Sequence, residues 1–161
     1  MPTTATPQPG APVDPYRAYN FKLLINGITN GHFTEVSGLE VTIGRLAYRE
    51  AGNDRVRAVP GQVDYAPVTL HFGLTSSREL WDWVHTAVKG TVSRRNVSVV
   101  LLDAAGTTEV LRWNLINAWP MRWRGAHLHT LSQEIAIVAL TLAYEGLELE
   151  PGSAAAAPTT A

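Results

Sequence analysis

The chain has no cysteine. Disulfide scaffolds, Cys-ligated metal sites and Cys nucleophiles are therefore excluded. Lysine is almost missing as well: of 13 basic residues only Lys22 and Lys89 are lysine. Charge of either sign is scarce, with 17% charged residues and a formal net charge of −1. That balance argues against a nucleic-acid-binding domain built on a basic surface and against an acidic solvating tail. No run approaches the roughly 18 apolar residues of a transmembrane helix. The first residues lack a basic segment followed by an apolar one, so no secretory signal is expected. No Ser sits in a G-x-S-x-G elbow, and no glycine-rich loop matches a phosphate-binding or dinucleotide fingerprint.

What remains is 161 residues, enough for about one domain, with an ordinary 45% of hydrophobic residues. Residues 1–15 and 151–161 are rich in Pro, Thr and Ala and are expected to be disordered tails. The folded domain is expected at 16–150. Its centre is Arg94 to Gly125, read as a β-hairpin running into a Trp-rich corner. Val97, Val99 and Leu101 share one face of the first strand, and Leu111, Trp113 and Leu115 one face of the second. Asp103 and Gly106 suit the turn between them. Pro120 has no N–H for a ladder, so the strand should end, bulge or become an edge there.

Elsewhere, alternation predicts strands at Tyr19–Ile25 and Val68–Leu74, and a long strand over His32–Ile43 with a bulge near Ser37-Gly38. Asn26-Gly27 and Asn30-Gly31 read as turns. Ser76 and Glu79 match a capping box that opens a helix over about 76–89, with Gly90 as its stop. Trp81 and Trp83 lie about 200° apart on such a helix. Trp81 is expected in the core with Leu80 and Val84, and Trp83 towards the rim or a partner. Ser132–Glu150 reads as a β-rich run, apolar on both faces up to Ala143 and bending at Gly146. The inventory predicts a mainly β chain: two packed antiparallel sheets forming a sandwich or barrel with one flanking helix.

Candidate chemistry is thin. His127-Leu128-His129 would place two imidazoles on one strand face, but no third ligand accompanies them, and an exposed loop or strand is the preferred reading. His71 lies on the polar face of its strand and is expected to be solvated. Asp82 and His85 are read as a surface ion pair. No catalytic residue, metal or cofactor is expected. The segment Arg45–Asp64 breaks the strand pattern. It sets Arg45, Arg49, Arg55 and Arg57 against Glu50, Asp54 and Asp64, and a structureless loop of this length is usually functional or disordered.

Several stretches carry a resemblance. They are DPYRAYNFKLLING (14–27), GHFTEVSGLE (31–40), YRE (48–50) with VPG (59–61), VTLHFGLTSSRELWDW (68–83), RRNVSVVLLD (94–103), RWNLINAWPMRW (112–123) and AYEGLEL (143–149). In order and spacing they resemble the tail tube proteins of contractile phages, most of all the inner-tube subunits of extracellular contractile injection systems. The resemblance implies a subunit that joins itself into hexameric rings by continuing its sheets around a lumen. Rings would stack into a hollow tube inside a contractile sheath. Implied partners are further copies of itself, a sheath protein, and baseplate, tube-initiator and tube-terminator proteins. The lumen could carry cargo, no nucleic-acid sequence is specifically read, and the target membrane is met only by the assembled particle. Assembly in the bacterial cytoplasm and release as a phage-tail-like particle would follow.

The resemblance also gives the charged segment a role. Arg45, Tyr48, Arg49, Glu50, Arg55, Arg57, Pro60 and Gly61 are the expected inter-subunit or inter-ring contacts, with Pro60-Gly61 shaping the return to the sheet. Trp81, Trp113, Trp119 and Pro120 are the expected core and corner. Two alternatives stand beside this reading: a tube-initiating or baseplate-proximal paralogue, and a monomeric β-barrel binding a small ligand through its tryptophans.

Overall fold

The computed structural model describes residues 16–26, 33–49, 51–52 and 55–152. The turn expected at Asn30-Gly31, Gly27, His32, Glu50, Asp54 and nearly all of both expected tails lie outside them. The described elements run β1 (Phe21–Ile25), β2 (Phe33–Ser37), β3 (Val41–Tyr48), β4 (Arg57–Tyr65), β5 (Val68–Gly73), α1 (Glu79–Val88), β6 (Arg95–Leu102), β7 (Glu109–Arg124), β8 (Ile137–Ala143) and β9 (Gly146–Pro151).

The 16-residue strand β7 is the spine of the fold. Its first part, up to Ala118, pairs with β6 on one side and β9 on the other, and β6 carries β1. Its last part, Trp119–Arg124, pairs with β8, which carries β5 and then β2. All pairings are antiparallel. One strand thus serves two four-stranded layers, and their inner faces form the core. The path β1-β6-β7-β8-β5-β2 does not close into a barrel among the described residues.

The bend in β7 has local causes. Asn117 takes φ 52, which Asn tolerates better than most residues. Its N–H donates to Asn96 Oδ1 at 3.1 Å and its side-chain amide to Glu145 Oε2 at 2.8 Å. Glu145 is also paired with Arg94. The register then shifts between Pro120 and Arg122. The bulge expected at Pro120 is therefore present, and the strand continues past it as an edge. The hairpin turn also follows expectation: Asp103 Oδ1 accepts from the N–H groups of Thr107 and Thr108, and Gly106 has φ 73.

The inner faces alternate as strands with one buried face must. Val68, Leu70 and Phe72 of β5, Val138, Leu140 and Leu142 of β8, and Val97 and Val99 of β6 are buried. β8 departs from expectation on its other face, where Ile137 is exposed and Ala139, Thr141 and Ala143 are half-buried. It is central because strands flank it, not because both faces are covered. α1 closes the core with Leu80, Trp83 and Val84, and Gly90 ends it at φ 82.

Three expectations are corrected. The capping box does not form: the helix starts at Glu79, its N-cap is Arg78, and no side chain caps it. The tryptophans of α1 exchange roles. Trp83 is 1% exposed and its Nε1–H donates to Ser93 O at 2.7 Å, whereas Trp81 is 41% exposed. The run His32–Ile43 is not one bulged strand. β2 ends at Ser37, and Gly38 at φ 91 turns the chain out of the sheet. A Cβ on Gly38 would lie 2.5 Å from Pro67 O, so a side chain there meets both a strained backbone and a steric wall.

Candidate assembly interface

The segment expected to be a structureless charged loop is a two-stranded antiparallel ribbon, β3 and β4, that pairs with no other strand among the described residues. Its ladder runs from Val41 opposite Tyr65 to Tyr48 opposite Arg57. A register shift falls where Gly44 meets Gly61 and Gln62. The crossing is tight, since a Cβ on Gly61 would stand 3.0 Å from Gly44 O and the backbone there would have to give. Pro60-Gly61 therefore bends the ribbon in mid-strand and does not shape its return to the sheet. The return is made instead at Tyr65, whose ring packs 5.7 Å from that of the buried Tyr144.

Every residue of β3 is exposed, and so is most of β4. The pairing places Val41, Ile43, Val63 and Tyr65 on one face, and Leu46, Tyr48 and Val59 on the other. Ile43, Leu46 and Tyr48 are 59%, 60% and 53% exposed. A free ribbon with apolar side chains on both faces is a liability that natural monomers avoid. Arg45, Arg49, Arg55 and Arg57 lie along this ribbon or its tip and are exposed; Glu50 is outside the described residues. The structure thus gathers the expected contact residues on one projecting element. It adds the apolar residues Val41, Ile43, Leu46, Val59 and Val63, which the reading of the segment by its charges missed. Their signal is present in the sequence, since apolar residues recur beyond the first arginine at Leu46 and Tyr48, on the opposite face.

The expected core and corner residues divide. Trp113 packs against the core. Pro120 is buried, and Trp119 is half-buried on the outer face opposite Ala143. Trp81 is a surface residue that stacks on His85 and meets Trp123 edge-on at 5.3 Å. Asp82 lies nearest Arg78, at 4.0 Å, where an ion pair with His85 was expected. His71 is half-exposed and lies 3.7 Å from Glu35. His127 and His129 stack at 6.3 Å in the exposed connection between β7 and β8, beside a cavity of about 480 Å³. Among the described residues no group of three or more His, Cys, Asp or Glu could hold a metal ion, and no helix is long and apolar enough to cross a membrane.

Glu109 accepts from Arg112 Nη2 at 2.7 Å and pairs with Lys22 Nζ at 2.8 Å. The Arg112 hydrogen bond first, and then that of Lys22, hold its carboxyl below the ordinary value of 4.5. The backbone N–H groups of Thr107 and Thr108 hold the Asp103 carboxyl low in the same way.

Comparison with known proteins extends these observations. No curated protein sequence matches the chain. Among solved structures it is similar to a chain of the sheath-tube complex, in the extended state, of an extracellular contractile injection system, PVC. Identity is 26% and the TM-score 0.77, over 85% of this chain and 92% of that one. It is also similar to a chain of the tube-terminating cap of the anti-feeding prophage, AFP, with 25% identity and a TM-score of 0.79 over 94% and 99% of the two chains. Hcp1 from Flavobacterium johnsoniae, at 13% identity and a TM-score of 0.54 over 83% and 97%, shares the fold alone. The family model of the T4-like virus tail tube protein gp19 matches residues 17–148. The chain therefore belongs to the gp19-type tail tube protein family.

Proposed function

We propose that the chain is the structural subunit of the inner tube of a phage-tail-like contractile injection system. Copies join into hexameric rings, rings stack into a hollow tube, and contraction of a surrounding sheath drives the tube into a target envelope. Its role is structural and not catalytic. The observation that carries the reading is the β3–β4 ribbon, exposed and apolar on both faces. Within an assembly a neighbouring subunit or ring covers these side chains, which removes the liability they pose in a lone chain. The arginines along the ribbon then fix register against acidic groups of the neighbour. Partners in this role are the sheath, the baseplate and the proteins that start and end the tube. Assembly takes place in the bacterial cytoplasm, and the finished particle can be released.

A second reading is favoured by one observation: the chain resembles members of the AFP tube-terminating cap and of the AFP baseplate, the latter at 26% identity and a TM-score of 0.73. A subunit that begins or ends the tube would occur as a single ring in each particle, whereas a tube subunit recurs along its length. Copy number per particle decides between them.

The test is negative-stain electron microscopy of the purified chain at high concentration, with its mass in solution. Six-fold rings or hollow stacks are expected. Deleting residues 50–58 should leave a folded protein, with unchanged circular dichroism, that forms neither. Rings that persist after the deletion would remove the ribbon from the interface. A full chain that stays monomeric, and is absent from the tube of the particles its producer makes, would overturn the tube reading.

A further inference from the structure

We propose that a cleft between the two layers is a binding site for a small amphiphilic acid. An apolar body of roughly eight to ten carbons lies between the layers, and its carboxylate meets Arg17 at the mouth. This goes beyond the tube reading and does not rest on it.

The cleft has a volume of about 280 Å³. Phe21, Val99, Leu101 and Trp113 line it from the β1–β6–β7 layer. They are neighbours in register, with Phe21 opposite Leu101 and Val99 opposite Trp113. Val36 and Leu39 line it from the other layer, on either side of Gly38, where the chain turns out of the sheet. Val99 is buried, but the other five are only half-buried. Side chains beside an unfilled gap forgo dispersion contacts, and an apolar guest of the right size restores them. An apolar cavity of about 150 Å³ takes one benzene ring, so this cleft has room for about two fused rings or an aliphatic chain of similar volume.

The mouth has a different character. Tyr16 and Arg17 lie there and are exposed. Arg17 Nη1 donates to Tyr19 Oη at 2.8 Å, and the guanidinium lies 6.0 Å from the Tyr19 ring. Tyr19 thus holds the guanidinium in place while engaging one of its N–H donors. No carboxylate among the described residues pairs with it. A guanidinium with donors to spare selects an anionic head group, and a planar carboxylate matches its fork. Apolar walls with a few polar groups that set orientation are the usual form of a small-molecule site. An apolar side chain from another copy would fill the same space but leave Arg17 without a role.

Calorimetric titration of the purified full chain with 2-naphthoate and with octanoate tests the site. The first probes for an aromatic body and the second for an aliphatic one. One-to-one binding of at least one acid is expected. The matching alcohol, 2-naphthol or 1-octanol, should bind about tenfold more weakly. Arg17→Gln should erase that difference at an unchanged melting temperature. Val36→Phe and Leu39→Phe should each fill part of the cleft and weaken acid and alcohol alike, by about tenfold or more. In the parent chain, NMR signals of the Phe21 and Trp113 rings should shift on saturation, and those of Trp119, on the outer face, should not. This second readout stands even where a filled variant folds poorly. Failure of both acids to bind would overturn the proposal. So would equal affinity for acid and alcohol, or shifts at Trp119 in place of Trp113. Binding that persists in the filled variants and disappears when residues 50–58 are deleted would put the probe on the ribbon and overturn the cleft. None of these outcomes touches the tube reading, which electron microscopy decides.

Discussion

Trp83 and Trp81 are two positions apart on one helix and meet opposite environments. Trp83 fills the core, donates to Ser93 O and lies under the Arg95 guanidinium, 5.5 Å from its ring. Trp83→Ala should cost about 3–5 kcal/mol, the usual loss for a buried large aromatic. Trp81→Ala should cost no more than about 1–2 kcal/mol, since the ring keeps only partial contacts. Urea midpoints at unchanged slope measure the difference, and equal losses would contradict the assigned roles. Periodicity put both tryptophans on the helix but left its rotation open, because either phase buries Leu80 and Val84. The deciding partner, Ser93 O, lies past the helix end, where spacing within α1 carries no information. Glu109 makes a second prediction at this scale. Its folded-state pKa is depressed, so its stabilising contribution is full above the ordinary value of 4.5 and is lost as pH falls through the lower, folded value. Acidification from about pH 5 to about pH 3 should therefore lower the melting temperature of the parent chain more than that of Glu109→Gln. Parallel curves for the two would refute the coupling to Arg112 and Lys22.

At the scale of elements, the strands that line the core were legible and those that leave it were not. Val68, Leu70 and Phe72, or Val97 and Val99, alternate because one side of each strand is dry. The ribbon alternates less cleanly, since nothing within the chain selects a dry side, and its arginines drew attention away from Leu46 and Val59. The break at Gly38 was read as a bulge for a related reason: a bulge and an exit both need an unusual backbone at one glycine. The helix start shows the reverse error, a correct motif that is not used. Ser76 and Glu79 have the spacing of a capping box, but the helix begins too late for Ser76 to reach its first amides. Ser76→Ala should thus change stability by less than about 0.5 kcal/mol, where a working cap would cost about 1 kcal/mol. Thermal melts separate the two values.

At the scale of the molecule, the apolar surface of the ribbon is displayed on a chain with little charge to keep copies apart. Dilute chains should bind an apolar fluorescent dye, and the signal should fall as rings form. Dye binding unchanged by assembly would mean that the ribbon stays exposed. The four-stranded layer has a further property in the unequal size of its two faces. Thr69, Gly73, Ala139 and Thr141 project outward, whereas Leu70, Phe72, Leu140 and Leu142 project into the core, with the second layer behind them. In a ring, copies with such a layer would act as wedges, narrow on the side of the smaller residues. Side by side, such wedges curve towards their narrow face, and the bulk of the subunit has room only on the convex side. In the proposed ring this face, with Thr69, His71, Ala139 and Thr141 along it, would turn to the bore, and the taper of the layer would set how many copies close the circle.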